Sequence, residues 1–145
     1  MYSRAHLLIQ EQINDLESDP KILVSRLHSD NIFELISLIE GQKHSMWENG
    51  VFQVYMKFSE NYNTEPPLVF FQTIPYHPNI DMISGKPSID FLDNKSKWKP
   101  DYTIHDILKY LQQLLAYPLL DLAVNMEAVF MLKGIYILVF FYFKK

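Results

Sequence analysis

The stretch WENGVFQVYMKFSENYNTEPPLVFFQTIPYHPNIDMISGKPSIDFLD, residues 47–93, decides how the chain folds. Its first part alternates. Phe52, Val54, Met56 and Phe58 fall on one side and Gln53, Tyr55 and Lys57 on the other, the period of two that a half-buried strand requires. A second apolar run, Leu68 to Phe71, follows a proline pair. From Pro75 to Pro100 the periodicity disappears, and Pro78, Gly85, Pro87 and Pro100 punctuate a segment with no helical or strand pattern longer than a few residues. A stretch of that length inside a small domain reads as a functional loop.

Upstream, Ile22 to Leu27 and Phe33 to Ile39 are rich in β-branched and aliphatic residues and read as two further strands. Short connections, one through Gly41 and another through Asn49-Gly50, suit an antiparallel meander, because parallel pairing needs long crossovers. Before the strands, Ala5, Ile9, Ile13 and Leu16 recur at helical spacing, ending near Ser18-Asp19-Pro20. After the loop, Ile104, Ile107, Leu108, Leu111, Leu114 and Leu115 form one helical stripe. Thr103 and Asp106 are spaced to cap that helix, and Pro118 stops it. Asn125 is placed to cap another helix running through Glu127, Ala128 and Leu132 to Gly134. Helix, four-stranded antiparallel meander, long loop and then helices is an α+β order.

The chain has 145 residues, 48% hydrophobic, enough for one sizeable core and too few for two ordinary domains. A formal net charge of -4 removes the broad attraction on which non-specific nucleic-acid binding depends. With no cysteine, disulfides, thiolate zinc sites and thiol catalysis are excluded. His6, His28, His44, His77 and His105 lie scattered without paired-ligand spacing, so no metal or cofactor is expected. The first residues lack a continuous apolar run and a small-residue cleavage site, which predicts a cytosolic or nuclear address. Ile135 to Phe143 carries no charge but is too short to span a bilayer, which takes roughly 20 apolar residues, so it reads either as a segment packed on the domain or left sticky, or as a membrane-associating tail. Residues 130–145 are set apart as a hydrophobic C-terminal tail from a domain at 1–129.

Residues 47–93 resemble the core of the ubiquitin-conjugating enzymes. The features are Gly50 and Phe52, then Tyr62 with Pro66 and Pro67, then the tripeptide His77-Pro78-Asn79, and Gly85 a few residues on. Downstream, WKPDYTIHDIL (98–108) is similar to the family's tryptophan, proline and threonine before its second helix, and AYPLLDLAVNMEA to the turn and third helix that follow. The PSIDFLDN run is most similar to the U subtype. The family's last helix is not recognisable after about Val129.

The resemblance implies a fold, a reaction and a discrepancy. Family members carry ubiquitin as a thioester on a cysteine and pass it to a lysine amine, usually beside a ligase. The position matching that cysteine is Ser88. A thiol is partly ionised at neutral pH, whereas a serine hydroxyl needs an adjacent base, and KPSID is not a G-x-S-x-G elbow. Asn79 matches an asparagine that either stabilises the oxyanion, worth ~3 kcal/mol in such a role, or braces the loop. His77 is either a loop anchor, the commoner use, or an acid or base. Pro66, Pro67 and Pro100 match ligase-contacting loops, although Asn63-Thr64-Glu65 stands where an aromatic residue is usual and Asp101 follows Pro100. The first helix offers Arg4 against Glu11, Asp15 and Glu17, which disfavours the activating enzyme as a partner. Asp121 is one candidate for an acidic gate residue, but Leu122 adjoins it and the assignment stays open. Lys95, Lys97 and Lys99 around Trp98 form either a solvated cluster or a surface for an acidic partner.

Three readings follow: a non-catalytic module binding ubiquitin or a ubiquitin-like protein, a ligase or an active conjugating enzyme; a transferase accepting ubiquitin as an ester on Ser88, or a serine placed there to trap that species; and a chain degraded to no settled function.

Overall fold

The computed structural model describes residues 1–134. The tail expected from Ile135 to Phe143, and the question of a missing last helix, lie outside the described residues. Strands β1 (Ile22–His28), β2 (Asn31–Glu40), β3 (Val51–Lys57) and β4 (Leu68–Phe71) form one antiparallel sheet in the order β1-β2-β3-β4. This is the expected meander. β3 behaves as its alternation requires: Phe52, Val54 and Met56 are buried, with Phe58 just past its end, while Val51 and Lys57 are exposed. On β2 the buried positions run Ile32, then Leu35, Ser37 and Ile39, so the inward parity changes between 32 and 35. The β1–β2 register is also irregular, shifting between Arg26 and His28.

The two glycine-marked connections are the ends of a single ten-residue link between β2 and β3, not two separate turns. Gly41 N–H donates to Gly50 O at 3.0 Å, closing that loop on itself. A side chain at Gly41 has no room, since a Cβ there would lie 1.9 Å from Trp47 O.

Two helices cover the sheet. Helix α1 (Arg4–Leu16) starts where Ser3 accepts from His6 N–H at 3.1 Å and buries Ala5, Ile9, Gln12 and Leu16. Its seam therefore runs through Gln12, while Ile13 is only half-buried. Helix α3 (Ile104–Ala116) opens on the expected Thr103–Asp106 capping box and ends with Tyr117 as its C-cap, just before Pro118. It buries Ile104, Ile107, Leu108, Leu111, Leu114 and Leu115. Each such side chain contributes roughly 1.5–3 kcal/mol, against roughly 1 kcal/mol for a cap. Packing is thus why the helix forms, and the cap decides where it begins. Gln112 ties it to the sheet, donating to Glu40 O at 2.9 Å.

Between sheet and α3, the long loop holds a short helix, α2 (Asp90–Asp93), and a 3-10 turn at Lys95–Lys97. Residues 126–134 are helical, α4, with Asn125 Oδ1 accepting from Ala128 N–H at 3.1 Å as the N-cap spacing predicts. The expected division at residue 129 falls inside this helical run. No described helix is long and apolar enough to cross a membrane.

Candidate functional site

The turn His77-Pro78-Asn79 is buried, with His77 1% and Asn79 0% exposed. His77 Nδ1 accepts from the Asn79 backbone N–H at 3.0 Å, so that nitrogen carries no proton. Its Nε2 must then be the protonated one, donating to Leu114 O at 2.8 Å. Both ring nitrogens are committed, and burial holds the imidazole below its ordinary pKa. This geometry is an anchor between loop and α3, and leaves no lone pair for a general base.

Asn79 faces the segment after α3. Its Nδ2 donates to Leu119 O at 2.7 Å and its Oδ1 accepts from Leu119 N–H at 2.8 Å. Pro78 O accepts from Val124 and Asn125 N–H at 2.8 and 3.0 Å, so residues 119–125 are stitched onto the tripeptide at three points. Neither Leu119 nor Val124 carries a signature in sequence, because backbone atoms make these bonds.

Ser88 lies directly beyond. Its N–H donates to Asn79 O at 2.7 Å, and Ile80 and Pro87 form a bridge beside it. The tight return between them depends on Asp81, whose Oδ1 accepts from Ile83 and Ser84 N–H, each at 2.8 Å. It depends equally on Gly85, at φ 75°, where a Cβ would meet Phe71 O at 2.0 Å. The half-buried Ser88 opens into a shallow groove of about 180 Å³ shared with Asp81, Lys86, Asp93 and Val124. Of the carboxylates there, Asp93 accepts from Ile89 N–H at 3.1 Å and sits 3.7 Å from Lys86 Nζ. Asp81 is held below the ordinary carboxylate pKa by its backbone donors. Both carboxylates are engaged in these contacts, and the lowered pKa of Asp81 makes it a poor base for an alcohol that must lose a proton.

The residues matched to ligase loops come together. Trp98 Nε1–H donates to Asn63 O and Asn63 Nδ2 donates to Pro100 O, each at 2.7 Å, joining the segment before Pro66-Pro67 to the one at Pro100. Pro67 is buried, whereas Pro66 is half-buried and Pro100 exposed. Lys95 pairs with Glu65 and Lys97 with Asp90 at 3.4 and 3.1 Å, so two of the three lysines are engaged on the surface. Such exposed pairs contribute little. Asp121 is exposed in a 3-10 turn (Leu120–Leu122), and Leu122 is half-buried. The exposed residues of α1 include Arg4, Glu11 and Asp15. Among the described residues no group of three histidines or carboxylates is arranged to hold a metal ion.

A cavity of about 410 Å³ lies elsewhere, between Trp47, Tyr76, His77, Leu115, Ala128 and Met131. It touches the buried ring of His77 but not Ser88, so its size says nothing about chemistry at the groove.

A helix, a four-stranded meander, a braced His-Pro-Asn turn and helices behind it define one class of protein, and the comparisons agree. The ubiquitin-conjugating enzyme family model matches residues 8–134, and the chain belongs to that family. Within it the chain is most like the U subtype. It is 45% identical over 129 residues to ubiquitin-conjugating enzyme E2 U of Macaca fascicularis and 43% identical over 129 residues to that of Homo sapiens. These matches cover 88% of this chain and 40% of each relative, so the chain spans about two-fifths of their length. Among solved structures, one described as a novel ubiquitin-conjugating enzyme superposes with a TM-score of 0.83 at 40% identity, covering 93% of this chain and 90% of that one. Human ubiquitin-conjugating enzyme E2 G1 gives 0.73 at 27% identity, covering 81% and 99%.

Proposed function

We propose that the chain is a non-catalytic binding module of the ubiquitin pathway, holding ubiquitin, a ligase or an active conjugating enzyme on its sheet and paired loops. The observation that carries this reading is a fully braced His77-Pro78-Asn79 turn beside Ser88, whose hydroxyl has no hydrogen-bonded base among the described residues. The Asn79 amide is closed on Leu119, His77 has both nitrogens spent, and Asp81 and Asp93 are tied to donors. An unactivated alcohol is a poor nucleophile at neutral pH. An ester formed there is also a weaker acyl donor to an amine than a thioester.

Surface chemistry supports binding. The outward face of the sheet carries Leu23 opposite Leu38 and Ile36 opposite Tyr55, itself opposite Phe70. Leu23 is 62% exposed, so this is apolar area available to a partner. The Tyr55 phenol donates to Glu34 at 2.5 Å on the same face and is pushed up to about 12, adding a fixed polar mark.

The test is a pull-down and NMR titration of the chain with ubiquitin, a ligase RING domain and an active conjugating enzyme. Binding to at least one is expected, with shifts on the sheet face or the paired loops; no binding to any of the three overturns the reading. A second reading, ubiquitin accepted as an ester on Ser88, is favoured by the groove that leaves this residue half-open. Its signature is an adduct that survives thiol reductants and is cleaved by hydroxide.

A further inference from the structure

The side chain of Gln12, in the middle of α1, is 7% exposed and its carbonyl oxygen accepts two hydrogen bonds. Tyr62 Oη donates to it at 2.6 Å and the backbone N–H of Ile104, in the first turn of α3, donates at 3.0 Å. Each donor stands next to one of the two partner loops. Tyr62 immediately precedes Asn63, and Ile104 follows Pro100 by four residues. On the outside, Asn63 closes the circuit by donating to Pro100 O and accepting from Trp98 Nε1–H. Hydrogen bonds and short stretches of chain therefore close a ring from Gln12 through Tyr62 and Asn63 to Pro100, and back through Ile104.

We propose that Gln12 is the positioning residue of the paired-loop surface: it sets the two loops in one register from underneath, although its hydrogen bonds go to Tyr62 and Ile104 and not to Asn63 or Trp98. The chemistry favours this assignment over plain packing. A buried glutamine at a helix seam is costly unless its oxygen is used, and here it is used twice, once on an N–H that α3 cannot satisfy internally. Tyr62 is 1% exposed, and burial keeps its phenol protonated to about 12, so its O–H is always available to donate. Two donors from segments about forty residues apart meet at one acceptor, so losing that acceptor frees both loops at once.

The inference rests on the proposed binding role for its consequence but not for its test. The full chain is prepared as Gln12→Met, which keeps shape without an acceptor, as Gln12→Glu, which keeps the acceptor, and as Tyr62→Phe. Hydrogen exchange and NMR shifts are followed at the Trp98 indole N–H and the Ile104 amide, with the Val54 amide as a global reference. Gln12→Met and Tyr62→Phe are expected to speed exchange of the Trp98 indole at least about tenfold beyond any change at Val54. The combined variant is expected to show no further gain, and Gln12→Glu to stay close to the unaltered chain. A Trp98 indole that changes only as much as Val54 overturns the proposal, as does an indole equally perturbed by Gln12→Glu. Binding to a ligase RING domain is then measured on the same proteins. Failure of the unaltered chain to bind counts against the ligase arm of the proposed function, while the exchange result still decides the role of Gln12.

Discussion

The side chain of Asn79 and the backbone of Leu119 hold each other by a reciprocal pair of hydrogen bonds at 2.7 and 2.8 Å, forty residues apart in sequence. An amide that spends both its oxygen and a proton on one neighbour is a brace. Asn79→Ala removes both bonds and is expected to destabilise the chain by about 2 kcal/mol, read as a lower urea midpoint with an unchanged slope. Asn79→Asp, which at neutral pH sets a carboxylate against Leu119 O, is expected to be worse than Asn79→Ala at pH 7 and to recover relative to it in acid.

Gly85→Ala places a methyl group 2.0 Å from Phe71 O and forces a side chain onto φ 75°. The left-handed conformation alone costs roughly 1–2 kcal/mol, and the contact, being with backbone, cannot relax by rotating a side chain. Loss of at least about 2 kcal/mol is expected, with the NMR signals of Phe71, Ile80 and Ser88 shifted furthest. A near-neutral effect contradicts the geometry of this return.

The imidazole of His77 is held by burial below its ordinary value of 6.5, so below that pH the unfolded chain binds a proton that the folded chain refuses. Unfolding free energy is therefore at its full value above about 6.5 and falls as the pH drops towards the folded value. Asp19, held down first by its hydrogen bond to His105, and Asp81, held down by backbone donors, add losses only below their ordinary 3.8. Urea midpoints measured between about pH 7.5 and about pH 5 are expected to decline, and His77→Gln is expected to flatten the decline while lowering stability overall.

Legibility in the sequence followed the range of the interactions. The inward face of β3 was readable because its alternation is local and unbroken, and the start of α3 because Thr103 and Asp106 sit three residues apart. The parity change on β2 was not, since it accompanies an irregular register with β1. Gly41 and Asn49-Gly50 look like separate connections in sequence, because only the bond from Gly41 N–H to Gly50 O makes them one loop. At the site, His77, Asn79 and Ser88 stand out only through the family pattern; in the structure Asn79 is hydrogen-bonded to both of the others through its backbone. Gln12 carries no such signal: a polar residue in a helical stripe looks like surface until its two donors arrive from residues 62 and 104.

If the missing thiol and the acidic first helix are independent defects, they should be separable. Ser88→Cys is expected to take up ubiquitin slowly from activating enzyme and ATP, as a reductant-sensitive band. Adding Glu11→Lys and Asp15→Lys, both on exposed positions of α1, is expected to accelerate it by about tenfold. Equal rates for the two variants contradict a charge defect on α1.

An unactivated Ser88 hydroxyl should stay free of ubiquitin when the unaltered chain is incubated with activating enzyme, ATP and ubiquitin. Mass spectrometry and a reducing gel, with and without hydroxide treatment, are expected to show no ubiquitin on the chain. A reductant-resistant, hydroxide-labile adduct mapped to Ser88 would show an activated hydroxyl and make the chain a transferase.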